Sequence, residues 1–505
     1  MKLKVKQLKL SVGKPVAILH TNTAERLQVQ EDNRIKLRKY YKEGSKRKWI
    51  TAVVDVAFSI LKENEIALTQ DVIKALGIKQ GSYVELMTEV HPTSINYVIK
   101  KMNGGKLNYT EIYSIISDIS KGRLTKAEIA YFTSGCYYSG LDFNEMVNLT
   151  KAMVKTGAIL KHKNKFVLDL HCAGGVAGNR TSPIVVSLVG SAIEYLKLDA
   201  VLPKTASRAI TSAAGTSDVM ETVSRVEFTV PEIYRILKKT KACLVWNSAL
   251  KLSPADDRIV KVETLVSLDA EAQIISSILS KKIADGATHV LMDIPYGYGA
   301  KFDVTGAIAI KKKFLKMASK FGLKMKVILT EGNKPIGRGI GPVLEMLDVL
   351  SVLKHQKNRP RDLEKKSIML SAELLSLTKN ISKSKAISIC KLLLYSGRAY
   401  KKFKQIVIAQ GGKFNFEDLL KKAKFKLKIK TKKTGKVKAI NNKKIALVAK
   451  IAGCPGDKGS GVYLCKHIGD KVLVGDTLFT IYSESKEKLK YAEKIAKQAF
   501  PFIIS

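Results

Sequence analysis

The stretch SRAITSAAGTSDVME, residues 207–221, concentrates hydroxyl groups around a single arginine, Arg208. Five hydroxyl residues fall within eleven positions: Ser207, Thr211, Ser212, Thr216 and Ser217. Capping the helical run that follows needs only one or two of them. Hydroxyl and guanidinium groups also bind phosphate oxygens. The surplus of hydroxyls therefore favours an anion site over a helix cap alone.

A second candidate is the glycine-rich stretch DLHCAGGVAGNRTSP, which begins at Asp169 between a predicted strand and a helical segment. Gly174, Gly175 and Gly178 would let backbone N–H groups approach a ligand closely, as in an anion-binding loop. The stretch lacks both the Lys-Ser/Thr end of a P-loop and the G-x-G-x-x-G spacing of a dinucleotide site. A structural glycine turn explains it equally well, and His171 fits either a ligand contact or a structural histidine.

A predicted helix carries a third group of polar side chains, in VSLDAEAQIISSILSKK. Its members recur at four-residue intervals on one face: Asp269, Gln273, Ser277 and Lys281. A solvated helix face is the simpler explanation of this pattern. Lys301 in GYGAKF follows a predicted strand and by itself indicates a loop lysine. The carboxylates of SPADD, residues 253–257, indicate a turn and an N-cap rather than a metal site.

The elements that must position these residues form four predicted domains, so the predicted fold class is multidomain α/β. Residues 1–90 alternate apolar and polar side chains and predict a small β-rich domain. Residues 91–165 have helical periodicity, in runs that begin with Asn, Thr or Asp near an N-cap position and end near Gly. Residues 166–415 alternate strand-like and helical runs, which predicts an α/β domain with a mostly parallel sheet and ligands beyond the strand C-termini. Residues 416–505 predict an α+β domain with a lysine-coated sheet face.

Length and composition limit the class of protein. A chain of 505 residues is too long for one core, so two to four domains are expected. No apolar run reaches the roughly 20 residues of a membrane span, and the N-terminus lacks a signal-peptide pattern. The six cysteines and seven histidines do not cluster, which argues against disulfides and a metal site. The sequence predicts a cytoplasmic protein.

The net charge of +44 raises the possibility of nucleic-acid binding. Lysines outnumber arginines about five to one and are spread along the chain, whereas bidentate phosphate contacts prefer arginine. A solvated lysine-rich surface is therefore favoured, with no stable nucleic-acid partner and no membrane partner. Small phosphorylated substrates would still be attracted.

Taken together, these segments resemble the thymidine and AMP phosphorylase family. SRAITSAAGTSDVME is similar to the signature of that family, and the remaining matches follow in the family's order: HCAGGVAGNRTSP before it, then CLVWNSALKLSPADD, SLDAEAQIISSILSKK, DIPYGYGAK, SGRAYKKFKQIVIAQGG and the C-terminal PGDKGSGVYLCKHIGDKVLVGDTLFTIYSES. The additional N-terminal domain, with GKPVAILH, resembles the archaeal AMP phosphorylase branch. The resemblance covers almost the whole chain.

The resemblance implies an enzyme that cleaves nucleoside 5′-monophosphates with orthophosphate, giving free base and ribose 1,5-bisphosphate. AMP is the implied substrate, with CMP and UMP as further ones. Orthophosphate is a co-substrate, and no cofactor is implied. The resemblance also implies a homodimer or larger homo-oligomer. It completes the helical domain with residues 255–285 and places substrate between that domain and the α/β domain.

Individual roles follow from the resemblance position by position. Asp269 matches the proton donor, and a donor at the departing base is worth about 10²–10⁴-fold in rate. The implied substrate-binding residues are Gly175, Ser207, Arg208, Ala209, Ile210, Thr211, Ser212, Thr216, Ser277 and Lys301. Three further candidates are His171, Cys172 and Lys281.

The chain departs from the family pattern at Cys172, where a phosphate-contacting serine is usual, and at Leu170, where thymidine phosphorylases carry lysine. The segment YLKLDA, residues 195–200, lengthens the approach to the signature. Two alternatives stay open: a thymidine or pyrimidine nucleoside phosphorylase, and a basic nucleic-acid-binding protein on a phosphorylase scaffold.

Overall fold

The structure, a computed structural model, describes residues 1–12, 15–41, 49–89, 92–209, 212–250, 252–266, 268, 270–378, 381–413 and 423–505. The chain forms two compact units, Met1–Ser139 and Gly140–Ser505. None of the described helices is long and apolar enough to cross a membrane.

The first unit contains a closed β-barrel followed by helices. Its elements are β1 (Lys2–Gln7), β2 (Val16–His20), α1 (Thr21–Arg26), β3 (Arg34–Lys39), β4 (Ile50–Ala57), β5 (Glu65–Leu68), α2 (Gln70–Leu76), β6 (Tyr83–Thr88), α3 (Ser94–Met102), α4 (Tyr109–Ser120) and α5 (Lys126–Tyr138). The barrel order is β1-β5-β2-β4-β3-β6. Leu3 and Val5 are buried in the barrel while Lys2 and Lys4 are exposed, so the lysine–apolar alternation at the N-terminus is that of a barrel strand.

The helices after the barrel begin at the capping residues that the sequence indicates. The side chain of Asn108 accepts a hydrogen bond from the backbone N–H of Glu111 at 3.0 Å, and the Glu111 carboxylate accepts one from the N–H of Asn108. Thr125 and Glu128 repeat the arrangement at α5. Such capping boxes satisfy N–H groups that have no partner within the helix. The predicted helix starts are confirmed.

The second unit begins with a helix and an α/β sheet. These elements are α6 (Phe143–Lys155), β7 (Phe166–Cys172), α7 (Thr181–Tyr195), β8 (Ala200–Ala206), α8 (Thr216–Met220), α9 (Val230–Thr240), β9 (Ala242–Trp246), α10 (Pro254–Val266), α11 (Glu271–Ala284), β10 (His289–Tyr296), α12 (Val304–Lys320), β11 (Lys324–Glu331), β12 (Gly339–Ile340), α13 (Pro342–Leu353), α14 (Arg361–Leu375), α15 (Lys383–Tyr395) and α16 (Arg398–Ala409).

The sheet of this unit is parallel throughout and has the order β11-β10-β7-β8-β9. Its strands are apolar on both faces because helices cover both sides; Leu168 and Leu202, for example, are fully buried. The predicted multidomain α/β class with a parallel sheet is confirmed. Since all five strands run the same way, the loops that follow them meet at one edge.

Helix α11 packs against α6 within this unit, and the hydroxyl of Ser276 donates to the carbonyl of Met146 at 3.4 Å. The apolar contacts include Met146 and Val147 from α6 with Ile275 and Leu279 from α11. Met292 and Ile294 of β10 belong to the same apolar cluster, so α6, α11 and this strand share one core. The four domain boundaries stay predictions.

The C-terminal part of the second unit is α+β, as predicted. Its elements are β13 (Phe425–Lys430), β14 (Gly435–Ile440), α17 (Asn442–Ile451), β15 (Gly461–Leu464), β16 (Lys471–Val472), β17 (Thr477–Ser483), α18 (Lys486–Gln498) and β18 (Phe502–Ile504). β12 joins this part through the sheet order β12-β15-β17-β13. Lys426 and Lys428 of β13 are exposed while Ile429 is buried, which is the predicted lysine-coated face.

Candidate active site

The loops after β7 and β10 contact each other at Gly175. Its φ is +88°, and a Cβ atom there would lie 2.5 Å from the backbone nitrogen of Lys301. Contact this close leaves no room for a side chain, so glycine is required for space as well as for its positive φ. The structure therefore brings together two residues that the sequence singled out separately, at the edge where ligands of such sheets bind.

The signature loop after β8 is held in shape by Asp218 in α8. This carboxylate, 2% exposed, accepts from the backbone N–H of Ala209 at 2.7 Å and of Gly215 at 2.9 Å. The hydroxyl of Ser212 donates to the carbonyl of Ala214 at 3.0 Å. Ala209 and Gly215 are thus both bound to one buried carboxylate, while Ser207 and Ser212 are exposed.

The glycine loop and the signature loop are tied together by Arg180. Its guanidinium donates to the hydroxyl of Thr216 at 2.7 Å, to the carbonyl of Ala214 at 2.9 Å and to Glu345 of α13 at 2.7 Å. Burial raises the pKa of Glu345, and Arg180 opposes this rise. Arg180 is not among the residues predicted from the sequence, where its position directly after the glycine loop is the only signal for it.

Arg208 is neutralised by glutamates in the structure. Its guanidinium bonds both carboxylate oxygens of Glu221, one at 2.6 Å, and Glu227 at 3.1 Å. It also lies over the ring of Trp246, 4.5 Å from the ring centroid. The hydrogen bond to Glu221 is the main reason that the pKa of Arg208 is raised. In this arrangement Arg208 holds the signature loop to the end of α8, and its role toward substrate stays a prediction.

Helix α11 presents Ser277 and Lys281 together. The ammonium of Lys281 donates to the hydroxyl of Ser277 at 3.3 Å and pairs with Asp256 of α10 at 2.5 Å. Asp256 lies in the SPADD segment, which forms the start of α10 as predicted, since the N–H of Asp257 donates to the Ser253 carbonyl at 3.1 Å. Ser277 and Lys281, four residues apart, are thus bonded to each other, which differs from the solvated helix face that the spacing alone favours.

A buried charged cluster lies among β7, β8 and α11 and consists of Asp169, Lys204, Lys282 and Asp285. Lys282 bonds Asp169 and lies 3.3 Å from Asp285; Lys204 lies 3.6 Å from the other oxygen of Asp169. Each residue is at most 4% exposed. The cluster joins α11 to the sheet at the level of His171. The sequence did not indicate this cluster, because bonded partners such as Asp169 and Lys282 are 113 residues apart along the chain.

His171 is kept neutral by this environment. Burial, followed by the positive charges of Lys282 and Lys204 and then of Lys281 and Lys301, lowers its pKa well below the usual range. An imidazole in this state can donate one hydrogen bond and accept another at neutral pH.

Cys172 lines a small cavity at the end of β7, with Leu170, His171, Thr181, Ser182 and Asp293 among its neighbours. Burial, followed by the negative charge of Asp293, raises the pKa of Cys172 to about 12. The thiol is therefore protonated at neutral pH. The amide of Asn179 lies 3.6 Å from its sulfur.

Three of the predicted site residues lie outside the described residues: Ile210, Thr211 and the predicted proton donor Asp269. Their roles rest on the resemblance. Within the described ranges, no group of three or more His, Cys, Asp or Glu side chains could hold a metal ion.

Family models match two parts of the chain. Residues 95–157 match the helical bundle domain of the glycosyl transferase family, and residues 436–502 match the C-terminal domain of pyrimidine nucleoside phosphorylases. Among solved structures, the chain is similar to anthranilate phosphoribosyltransferase from Thermus thermophilus, with a TM-score of 0.51 and 15% identity. That likeness covers 63% of this chain and 99% of the other, and it concerns the fold alone.

Individual relatives match over much longer stretches. An AMP phosphorylase of Methanocaldococcus jannaschii is 39% identical over 90% of both chains. An AMP phosphorylase of Pyrococcus furiosus is 37% identical over 100% of this chain and 98% of its own. A provisionally named thymidine phosphorylase of Legionella pneumophila is 39% identical over 90% of this chain and 86% of its own. The chain belongs to the thymidine and AMP phosphorylase family.

Proposed function

We propose that the protein is an AMP phosphorylase, a pentosyltransferase that cleaves nucleoside 5′-monophosphates with orthophosphate. The observation that carries the proposal is the contact between Gly175 and Lys301. It places a glycine loop of the kind that binds anions next to a lysine, at the edge of the sheet where ligands bind. Full-length similarity to a Pyrococcus furiosus protein named AMP phosphorylase supports AMP as the substrate. CMP and UMP are the further candidate substrates.

In the proposed reaction a phosphate oxygen forms a bond to C1′ of the ribose while the N-glycosidic bond breaks. The bonding electron pair leaves with the base, which takes a proton from Asp269, and the products are free base and ribose 1,5-bisphosphate. Such a transition state carries positive charge on the sugar and negative charge on the base. A positioned acid is therefore useful at the base, and positioned donors are useful around the phosphate.

The described residues support a division of roles. Backbone N–H groups near Gly175 and the exposed hydroxyls of Ser207 and Ser212 would orient phosphate oxygens, and Lys301 would supply positive charge. The charge of Arg208 is already shared with Glu221 and Glu227, so we assign it to holding the loop. A neutral His171 would contribute a hydrogen bond rather than a charge.

The proposal includes no cofactor, since orthophosphate is the second substrate. We further propose that the protein acts in the cytoplasm as a homodimer or larger homo-oligomer, without a stable nucleic-acid partner. The six cysteines are all free thiols, which fits a reducing compartment.

The test is to incubate the purified chain with orthophosphate and, separately, AMP, CMP, UMP and thymidine, and to measure base release by chromatography. Base and ribose 1,5-bisphosphate from AMP, dependent on phosphate, are expected. Base release from thymidine but from no monophosphate would replace the proposal with a thymidine phosphorylase, the activity that the name of the Legionella relative suggests. Salt-sensitive RNA binding without any phosphorolysis would favour the nucleic-acid-binding alternative.

A further inference from the structure

Asp256 is a buried carboxylate beside the ammonium group of Lys281. It lies in the first turn of α10, is 1% exposed, and its Oδ2 is 2.5 Å from Nζ of Lys281 on α11. The Lys281 side chain is 17% exposed, so the pair lies well below the surface on the Asp256 side and partly so on the lysine side. A pair this well shielded constrains the lysine far more than a surface ion pair does.

The same ammonium also donates to the hydroxyl of Ser277, one turn earlier on α11, at 3.3 Å. Asp256 and Ser277 therefore hold Nζ of Lys281 between them, from two different helices. A lysine head on a four-carbon stem has many rotamers, and two partners restrict it to one position. This position is next to a hydroxyl that the resemblance assigns to nucleotide binding.

The surroundings of Asp256 argue against a capping role. A carboxylate in the first helical turn normally accepts from backbone N–H groups. Neither oxygen of Asp256 accepts a hydrogen bond of normal geometry from the residues that the structure describes, and Oδ1 is fully buried. Burying an unsatisfied carboxylate oxygen is costly. The ion pair with Lys281 is the interaction that offsets that cost.

Asp257 provides an internal contrast. It is the next residue of the same helix and also carries a carboxylate, but that group accepts from the hydroxyl of Ser248 at 2.7 Å. Burial raises the pKa of Asp257, and the Ser248 hydrogen bond and then the charge of Lys281 oppose the rise, although Asp257 forms no ion pair with that lysine among the described contacts. Asp257 thus stabilises the turn before α10, whereas Asp256 contacts α11.

We propose that Asp256 is a positioning residue: it fixes the ammonium of Lys281 beside Ser277 and thereby sets how tightly the site holds its nucleotide. The identity of the ligand as a nucleotide rests on the proposed function. The pairing of Asp256 with Lys281 rests on geometry alone. Removing the charge of Asp256 frees the Lys281 head without changing any group on α11.

The kinetic test compares Asp256→Asn, Lys281→Met, the double variant and the control Asp257→Asn. For Asp256→Asn we expect the KM for AMP to rise about tenfold, with kcat and the KM for phosphate changing much less, because the interaction concerns nucleotide binding. Asp257→Asn should keep both KM values. In the Lys281→Met background, Asp256→Asn should add little, since its partner is already gone.

Two results would overturn the proposal: equal KM shifts for Asp256→Asn and Asp257→Asn, or an Asp256→Asn effect that persists in full without Lys281. The Asp256→Glu variant serves as the conservative rescue and should recover part of the nucleotide affinity. Thermal unfolding of all variants separates these effects from a loss of fold.

A second measurement does not depend on the activity. Limited acetylation with an amine-reactive ester, quantified by mass spectrometry, reports how protected Lys281 is, with the buried Lys282 as an internal reference. Asp256→Asn should increase the acetylation of Lys281 several-fold, and Asp257→Asn should leave it unchanged. Unchanged acetylation in Asp256→Asn overturns the inference even if the chain is active. Absence of phosphorolysis in the wild type contradicts the proposed function instead.

Discussion

The guanidinium of Arg180 donates to the hydroxyl of Thr216 at 2.7 Å and so connects the loop after β7 to the loop after β8. Its remaining donors reach the Ala214 carbonyl and the carboxylate of Glu345, whose side chain is 2% exposed. The predicted phosphate-binding groups lie in these two loops. Arg180 therefore connects both loops to each other and to the first turn of α13.

Replacing this residue, in Arg180→Ala, should destabilise the second unit by about 3 kcal/mol and strongly reduce activity, because it leaves Glu345 buried without its partner. Arg180→Lys should be intermediate, since a lysine cannot form the same set of three bonds. Urea unfolding and phosphorolysis assays measure the two effects.

The control for Arg180 is Arg225→Ala, which removes an exposed guanidinium that pairs with Glu232 at 3.6 Å and donates to the Glu227 carbonyl at 3.1 Å. It should lower the free energy of unfolding by less than about 1 kcal/mol. Equal stability losses in Arg180→Ala and Arg225→Ala would contradict the coupling role.

A methyl group at Gly175 should impair activity more than it impairs stability. Both Gly174 and Gly175 have positive φ, of +85° and +88°, so alanine costs about 1–2 kcal/mol of backbone strain at either position. Gly174 has no atom within 4 Å of an added Cβ, whereas Gly175 meets the Lys301 backbone at 2.5 Å. We expect Gly175→Ala to lower kcat/KM at least about tenfold below Gly174→Ala. Similar values for the two variants would show that the loop contact is not needed for the reaction.

Cys172 should be unreactive despite its position at the candidate site. Its pKa of about 12 leaves almost no thiolate at pH 8, and the thiolate is the reactive form. Alkylation of Cys172 by iodoacetamide, followed by peptide mass spectrometry, should be at least about a hundredfold slower than alkylation of glutathione. Rates similar to glutathione would mean that the thiol is far less shielded than described.

Lys204 should make stability depend on pH in the alkaline range. Burial, followed by the charge of Lys282, lowers its pKa from 10.5 to about 8. Between these values the unfolded chain binds the proton that the folded chain has released, so stability rises with pH. The contribution is fully present above about pH 10.5 and is lost as the pH falls through about 8.

The measurement for Lys204 is the difference in unfolding free energy between wild type and Lys204→Met from about pH 7.5 to 10.5. This difference should shift in favour of the wild type by up to about 3 kcal/mol with rising pH. A flat difference across this range would contradict the lowered pKa.

Much of the local structure could be predicted because it depends on short-range patterns. Runs such as KFVLDLH and ATHVLMDIP are buried strands because covering helices require apolar residues on both faces. The caps at Asn108 and Thr125 follow from side chains that bond N–H groups three residues away. The edge of the sheet at which ligands bind could also be predicted, because parallel strands have their C-terminal ends at the same edge.

The predicted donor Asp269 differs from the rest of the site, because it lies outside the described residues. Its assignment depends on the resemblance and on its spacing from Ser277. An Asp269→Asn variant that retained full turnover would contradict it, measured in the same base-release assay.

The amino-acid sequence by itself determined which segments are strands, helices and glycine or hydroxyl loops, because those properties depend on neighbours a few residues apart. Only the tertiary structure decided which charges meet. Arg208 pairs with Glu221, Arg180 with Glu345 and Lys282 with Asp169, the last two across 165 and 113 residues. Such pairs depend on the strand order β11-β10-β7-β8-β9, which brings distant segments side by side. The physical reason is that a charge is neutralised by its nearest partner in space, whatever their separation along the chain.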